Sequence, residues 1–298
     1  MAISGGRVTE GSIHTRVLAN LQRNIAKGEK IQEQLSSGKQ INRPSDSPTG
    51  TVSSLQLRGE ARATQQYQRN ADDGIGWLGT QDNTLTNMST QTIAARDLMV
   101  RGLNQGASDP SANEALATEI EQIRSQLISF GNTKYMDRPV FGGSTPGPAA
   151  YDESGTYLGD AGGTSRTVGP GTKVRVDTTG PEIFGEGDTQ LFKVLQDAAD
   201  AIRAGDTAAT SDALGNLDTA HNLLKTTLSD VGARYNRLEQ MKQSAQDRLL
   251  TVTTQLSDIE DVDLPKTIME MQLQQTSYQA ALAASAKVIQ PSLIDFLR

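Results

Sequence analysis

The chain has 298 residues, and its 28 Lys plus Arg against 35 Asp plus Glu give a net charge of -7, a balance that argues against general nucleic-acid binding. Aromatic residues are only 4% and hydrophobic residues 36%, which suits thin helical bundles packed with Leu, Ile, Val and Ala better than a thick globular core. The lack of cysteine excludes a disulfide, a thiolate metal site and a thiol nucleophile, and no apolar run of about 18 residues offers a membrane span.

The segment Met1 to Arg7 has no apolar stretch followed by a small-residue cleavage site, so an ordinary secretory signal is not expected. A first helix is expected from about Val8 to Leu35, with Val17, Leu21, Gly28, Ile31 and Leu35 on one stripe. It should stop at Ser36-Ser37-Gly38, where glycine can take the left-handed position that closes a helix. The two prolines in Asn42 to Pro48 interrupt the helix, and Ser47 followed by Pro48 offers a cap and first-turn proline for a second helix reaching Gly102 to Gly106. Ser108-Asp109-Pro110 opens a third, marked by Leu116, Ile120, Ile123 and Leu127 and ended by Gly131-Asn132.

From Tyr135 to about Gly187 the helical period disappears. Short β-prone runs replace it at Pro139-Val140-Phe141, Thr156-Tyr157-Leu158, Arg166-Thr167-Val168, Lys173 to Val176 and Glu182-Ile183-Phe184. Helical spacing returns at Leu191, Leu195, Ala198 and Ile202 and stops at Gly205-Asp206. The longest pattern follows: Leu214, Leu217, His221, Leu224, Leu228, Val231, Tyr235, Leu238, Lys242, Ala245, Leu249, Val252, Leu256 and Ile259. Its steps alternate three and four, the seam of a coiled coil, and only His221 and Lys242 break its apolar run. The acidic stretch Asp258 to Asp263, followed by Pro265, marks a boundary. A last amphipathic helix carries Ile268, Met271, Tyr278, Leu282 and Ile289, and Pro291 ends it before Leu293, Ile294, Phe296 and Leu297.

These elements predict a mainly α chain: an elongated rod of long antiparallel helices, coiled coil or bundle, formed by both chain ends, with a small β-rich insert. Residues 1–45 with 265–298 are expected as terminal helices, 46–137 with 188–264 as a helical-bundle rod, and 138–187 as the β insert, sparse in core and borne on the helices. A lone helix of about 25 residues is marginal in water, so the two terminal seams need partners. They can find them in each other or in neighbouring molecules, and periodicity alone leaves both readings open.

Chemistry is weakly represented. Ser37-Gly38-Lys39 lacks the earlier glycine and the following hydroxyl of a phosphate loop, having Glu33 and Gln40 there. His14 and His221 are the only histidines, and His221 sits in the seam, where packing is its expected role. Asp72-Asp73-Gly74 and Asp160 to Gly163 lack the alternating acids of a calcium loop and read as turns or caps. The acids from Asp258 to Asp263 read as solvated and capping residues. An active site in the insert would rest on carboxylates such as Asp152, Glu153 and Asp160, which turn placement already explains. No enzyme, metal or cofactor is expected.

The chain resembles the flagellin-like family. At the N-terminal end the resemblance rests on Leu35-Ser36-Ser37-Gly38-Lys39-Gln40-Ile41-Asn42, on Arg43 to Pro48, and on Asn70 to Leu78 with its Trp77-Leu78. At the other end it rests on Gly232-Ala233-Arg234-Tyr235-Asn236-Arg237-Leu238-Glu239 and on Ser257 to Asp263. Between them Tyr135, Pro139 to Gly143, Tyr157 to Asp160 and Ile183-Phe184 are similar to the small β domain of the family's junction-forming branch. The resemblance implies a non-enzymatic subunit of the bacterial flagellum, exported through the flagellar type III apparatus to an extracellular place between hook and filament. Its implied partners are the first hook-associated junction protein, flagellin, a flagellar export chaperone and further copies of itself in a ring, with no nucleic acid and no membrane insertion. It also implies terminal helices that stay disordered until assembly. The expected assembly interface is Leu21, Ile25, Ile31, Leu35, Ile268, Met271, Leu282, Ile289, Phe296 and Leu297. A filament subunit is the alternative, and a surface-binding adhesin using the β insert a more distant one.

Overall fold

The computed structural model describes residues 10–105, 109–144 and 147–289. The chain divides into two units, residues 1–62 with 250–298 and residues 63–249, referred to below as the terminal and central units. Among the described residues seven helices and two small hairpins follow one another: α1 Glu10–Ser37, α2 Pro48–Gln105, α3 Pro110–Gly131, β1 Lys134–Tyr135, β2 Arg138–Pro139, β3 Ser165–Gly169, β4 Thr172–Arg175, α4 Gly180–Phe184, α5 Leu191–Ala204, α6 Thr207–Glu260 and α7 Leu264–Ile289. The mainly helical reading with a small β part therefore holds.

The helix ends follow local chemistry. Gly38 adopts φ +69 after α1 and Gly205 φ +67 after α5, left-handed conformations that cost glycine no Cβ clash. The Ser47 hydroxyl accepts the Gly50 N–H at 3.1 Å at the start of α2, and Asp109 accepts the Ser111 N–H at 3.0 Å at the start of α3.

In the central unit α2 and α6 pack closely. The seam of α6 buries Leu217, Leu224, Val231, Leu238 and Ala245, one residue per heptad, while Leu214, His221, Leu228, Tyr235, Lys242 and Leu249 are half-buried. The two interruptions differ: Lys242 Nζ lies 2.9 Å from Asp72 on α2, whereas His221 packs half-buried with its Nδ1 unpaired. Asp72-Asp73-Gly74 forms no turn, contrary to the expectation, and lies inside α2. Asp72 pairs with Lys242 and Asp73 with Arg166 of β3, while a Cβ on Gly74 would meet Leu238 Cδ1 at 2.7 Å. Glycine here lets α2 and α6 approach, so its helix-weakening cost is offset by packing.

The insert is held by aromatics. Phe141, Tyr151 and Phe184 are buried and stack edge-on, with Tyr151 also 4.9 Å from the Phe192 ring of α5. They belong to the same core as Trp77, Leu78, Leu85 and Leu238 of the long helices. Three of the expected strands differ. Of Pro139-Val140-Phe141 only Pro139 lies in a strand, β2, and Val140 and Phe141 follow it in a turn. Glu182-Ile183-Phe184 lies in the short helix α4, because Pro181 suits a first turn and Glu182 accepts the Thr179 N–H at 3.1 Å in a capping box. Thr156 to Leu158 makes only an isolated bridge, Tyr151 to Tyr157. Asp160 does serve a turn, accepting the N–H groups of Ser144 at 2.7 Å and Gly162 at 3.0 Å.

Candidate assembly surface at the chain ends

In the terminal unit α1 packs against α7. Ile31 and Gly28 of α1 share a cleft of about 400 Å³ with Met271, Gln274 and Tyr278 of α7, and a Cβ on Gly28 would lie 3.9 Å from Gln274 Cγ. Numbers fall along α1 as they rise along α7, so the two helices are antiparallel. The inward stripe of α1 is Val17, Leu21, Asn24, Gly28, Ile31 and Leu35, buried or half-buried throughout, and it contains the whole N-terminal seam expected from spacing.

The stripe of α7 differs from the expected one. Thr267, Met271, Gln274, Tyr278, Ala281 and Ser285 face inward, while Ile268 is 44% exposed and Leu282 43%. The alternation begun at Thr267 includes Gln274, which lies across from Gly28. Gln274 is buried and donates from Nε2 to the Asn24 carbonyl at 2.8 Å, which satisfies its amide.

The displaced apolar residues point outward. Leu18 and Ile25 on α1, Val52 and Leu55 on α2, Leu250 on α6, and Leu264, Ile268, Met269, Leu273 and Leu282 on α7 are all exposed. They make up ten of the fourteen exposed large hydrophobics among the described residues, although the terminal unit is the smaller one. Leu18 and Ile25 are one heptad apart and Ile268 and Leu282 two, a periodic layout that forms faces rather than scattered points.

Of the expected interface residues, Ile31 is buried, Leu21, Leu35 and Met271 are half-buried, and Ile25, Ile268 and Leu282 are outward. Ile289 is the last residue of α7, with its side chain outside the described set, and Phe296 and Leu297 lie outside the described residues.

Spacing gave no sign of what holds the two helix breaks together. Lys39 and Asp261 form an antiparallel bridge, with Gln40 N–H donating to the Glu260 carbonyl at 2.6 Å and Val262 N–H to the Gly38 carbonyl at 3.0 Å. Glu260, with 3% of its side chain exposed, accepts from Arg58 at 2.7 Å and from Lys39 at 2.8 Å. The Arg58 hydrogen bond, joined by Lys39 and opposed by burial, holds the Glu260 carboxyl down at about 2. Lys39 also reaches Asp261 at 3.4 Å, and its own pKa is raised, chiefly by the Glu260 hydrogen bond. The acidic stretch was expected to be solvated and capping. Asp263 fits, accepting the Lys266 N–H at 3.1 Å, whereas Glu260 is a buried member of an ion cluster.

Among the described residues no group of His, Asp and Glu is arranged to hold a metal ion, and no helix is long and apolar enough to cross a membrane.

Comparison with known proteins gives a consistent picture. The model of the bacterial flagellin N-terminal helical region matches residues 12–144 and that of the C-terminal helical region residues 214–297. The chain is 29% identical over 280 residues to flagellar hook-associated protein 3 of Escherichia coli, covering 86% of this chain and 88% of that protein. It is 25% identical over 300 residues to flagellin of Bacillus subtilis, covering 95% and 96%. FlgL of Bacillus cereus shares the fold with a TM-score of 0.60 over 68% of this chain and 99% of that one, at 22% identity.

Proposed function

Because this chain belongs to the bacterial flagellin family, we propose that it works as a structural subunit of the flagellum, joining the hook side to the filament through its terminal helices. It resembles flagellar hook-associated protein 3 along almost its whole length, insert included, and its role is mechanical rather than catalytic. Its place is outside the cell.

The observation that carries the reading is the concentration of outward apolar side chains in the terminal unit. Leu18, Ile25, Ile268, Leu273 and Leu282 present hydrophobic faces that α1 and α7 do not cover for each other. Burial of such a side chain stabilises by about 1.5–3 kcal/mol at most, so a few of them on each neighbour offset the ordering of two helices. The terminal helices gain their full order on joining neighbouring subunits, which are further copies in a ring, the first hook-associated protein on one side and flagellin on the other. Before export a flagellar chaperone covers the C-terminal apolar residues, Phe296 and Leu297 among them.

Likeness to flagellin extends over as much of the chain, and a filament subunit is the competing reading. Complementation separates them. In a strain lacking its own hook-associated protein 3 but producing flagellin, this chain should restore attached filaments. In a strain lacking flagellin, filaments built of this chain would mark it as a filament subunit.

A further inference from the structure

We propose that the cluster of Lys39, Arg58 and Glu260 sets the register of α1 against α7, with Glu260 as its positioning residue. The seam between these helices specifies register poorly. Both stripes repeat every seven residues, and that of α7 is Thr267, Gln274, Ala281 and Ser285 alternating with only two large side chains, Met271 and Tyr278. Sliding α7 by one heptad brings Thr267 or Ala281, each smaller than Gln274, opposite Gly28 in its place. The Gln274 amide bonds a backbone carbonyl, a group that every residue of α1 carries.

For the chain path, a slide by the roughly 10.5 Å that a heptad rises asks Gly38 to Ser47 to release the Lys30–Asp46 and Arg43–Glu33 pairs, at 3.0 and 3.1 Å, whose lysine and arginine are exposed and whose worth is small. What a slide breaks beyond these is the clasp. Gly38, Lys39 and Gln40 move with α1, whereas Glu260 and Val262 belong to the α6–α7 break, and the two sets share two backbone hydrogen bonds and the Lys39–Glu260 pair. Lys39 reaches Glu260 in one alignment only, while Arg58 on α2 stays with it in any, and a slide therefore leaves a buried carboxylate short of one donor. Buried ion pairs are better suited to choosing an arrangement than to adding stability.

The clasp thereby fixes which outward residues of α1 stand beside which of α7, Ile25 and Leu18 relative to Ile268 and Leu282. That consequence rests on the assembly reading; the register itself does not, and is tested without assembly.

The chain has no cysteine of its own, so introduced pairs report cleanly. Purified full-length chain carrying Gly28→Cys with Gln274→Cys, with Thr267→Cys or with Ala281→Cys is oxidised and the cross-linked fraction measured. The ratio of aligned to shifted products reads register independently of how many chains are paired at a given moment. With Glu260 present the aligned pair dominates. Glu260→Gln should lower the ratio by roughly tenfold, the factor that corresponds to a lost preference of about 1.4 kcal/mol, and Lys39→Met should move it the same way. An unchanged ratio overturns the proposal. Equal loss of all three products together with helical circular dichroism overturns it too, because the clasp would then keep helices folded rather than aligned.

Discussion

Lys39 and Glu260 are 221 positions apart in the chain, and their Nζ and Oε2 atoms lie 2.8 Å apart. The pair ties the break after α1 to the break before α7, where α1 and α7 pack side by side in the terminal unit.

That contact makes stability depend on acid in a defined direction. The folded carboxyl of Glu260 sits at about 2 against an ordinary 4.5, so its stabilisation is complete above pH 4.5 and is lost as pH falls from there through 2. Once assembly has ordered the terminal helices, Glu260→Gln should lower their stability by about 1.5–3 kcal/mol at pH 7, the range for hydrogen bonds to charged groups. Thermal melts of both proteins followed across pH 7 to 2 should converge at the acid end. A constant gap would assign the loss to something other than this carboxylate.

The aromatic cluster bears on the central unit alone. Phe192 is fully buried and touches both Tyr151 and Phe184, so Phe192→Ala should cost about 3–5 kcal/mol in denaturant unfolding. Because those rings also hold the insert, the loops between β2 and α4 should become protease-sensitive in this variant.

The outward faces should separate folding from assembly. Ile268→Ser and Leu273→Ser alter residues that are 44% and 68% exposed, and each should change stability by less than about 0.5 kcal/mol. Both together should prevent attachment of filaments in the complemented strain while secretion of the chain continues. Normal attachment would move the interface off this face.

Hydrogen exchange addresses the ordering of the ends. In the isolated chain amides of residues 50–130 and 210–255 should be protected, whereas those of 1–45 and 265–298 should exchange fast until assembly. Full protection of α1 and α7 in the monomer would contradict ordering on joining.

Much of the fold was legible because its signals are local. Ser47-Pro48, Asp109-Pro110, Gly38 and Gly205 each fix a helix end through a cap or a left-handed turn, and the α6 seam repeats often enough to identify itself. The helix α4 was equally legible in Thr179-Gly180-Pro181-Glu182, a capping box with a first-turn proline, yet β-prone Ile183-Phe184 pointed the other way. The stripe of α7 was not legible. Apolar density favoured Ile268 and Leu282, whereas Thr267, Gln274 and Ala281 face inward, with Gln274 alone placed across from Gly28. Glu260 was hidden as well: among Asp258, Asp261 and Asp263 it looks like one more solvated acid, and only tertiary contact with Arg58 and Lys39 distinguishes it.

Site-specific labelling can show where the chain sits on the flagellum. Glu153 is exposed in the insert, and the chain contains no cysteine, so Glu153→Cys gives a single point for a fluorescent maleimide. On intact flagella of a complemented strain the label should form one spot at the base of each filament, where it meets the hook. Label spread along the whole filament would contradict the account and identify the chain as a filament subunit.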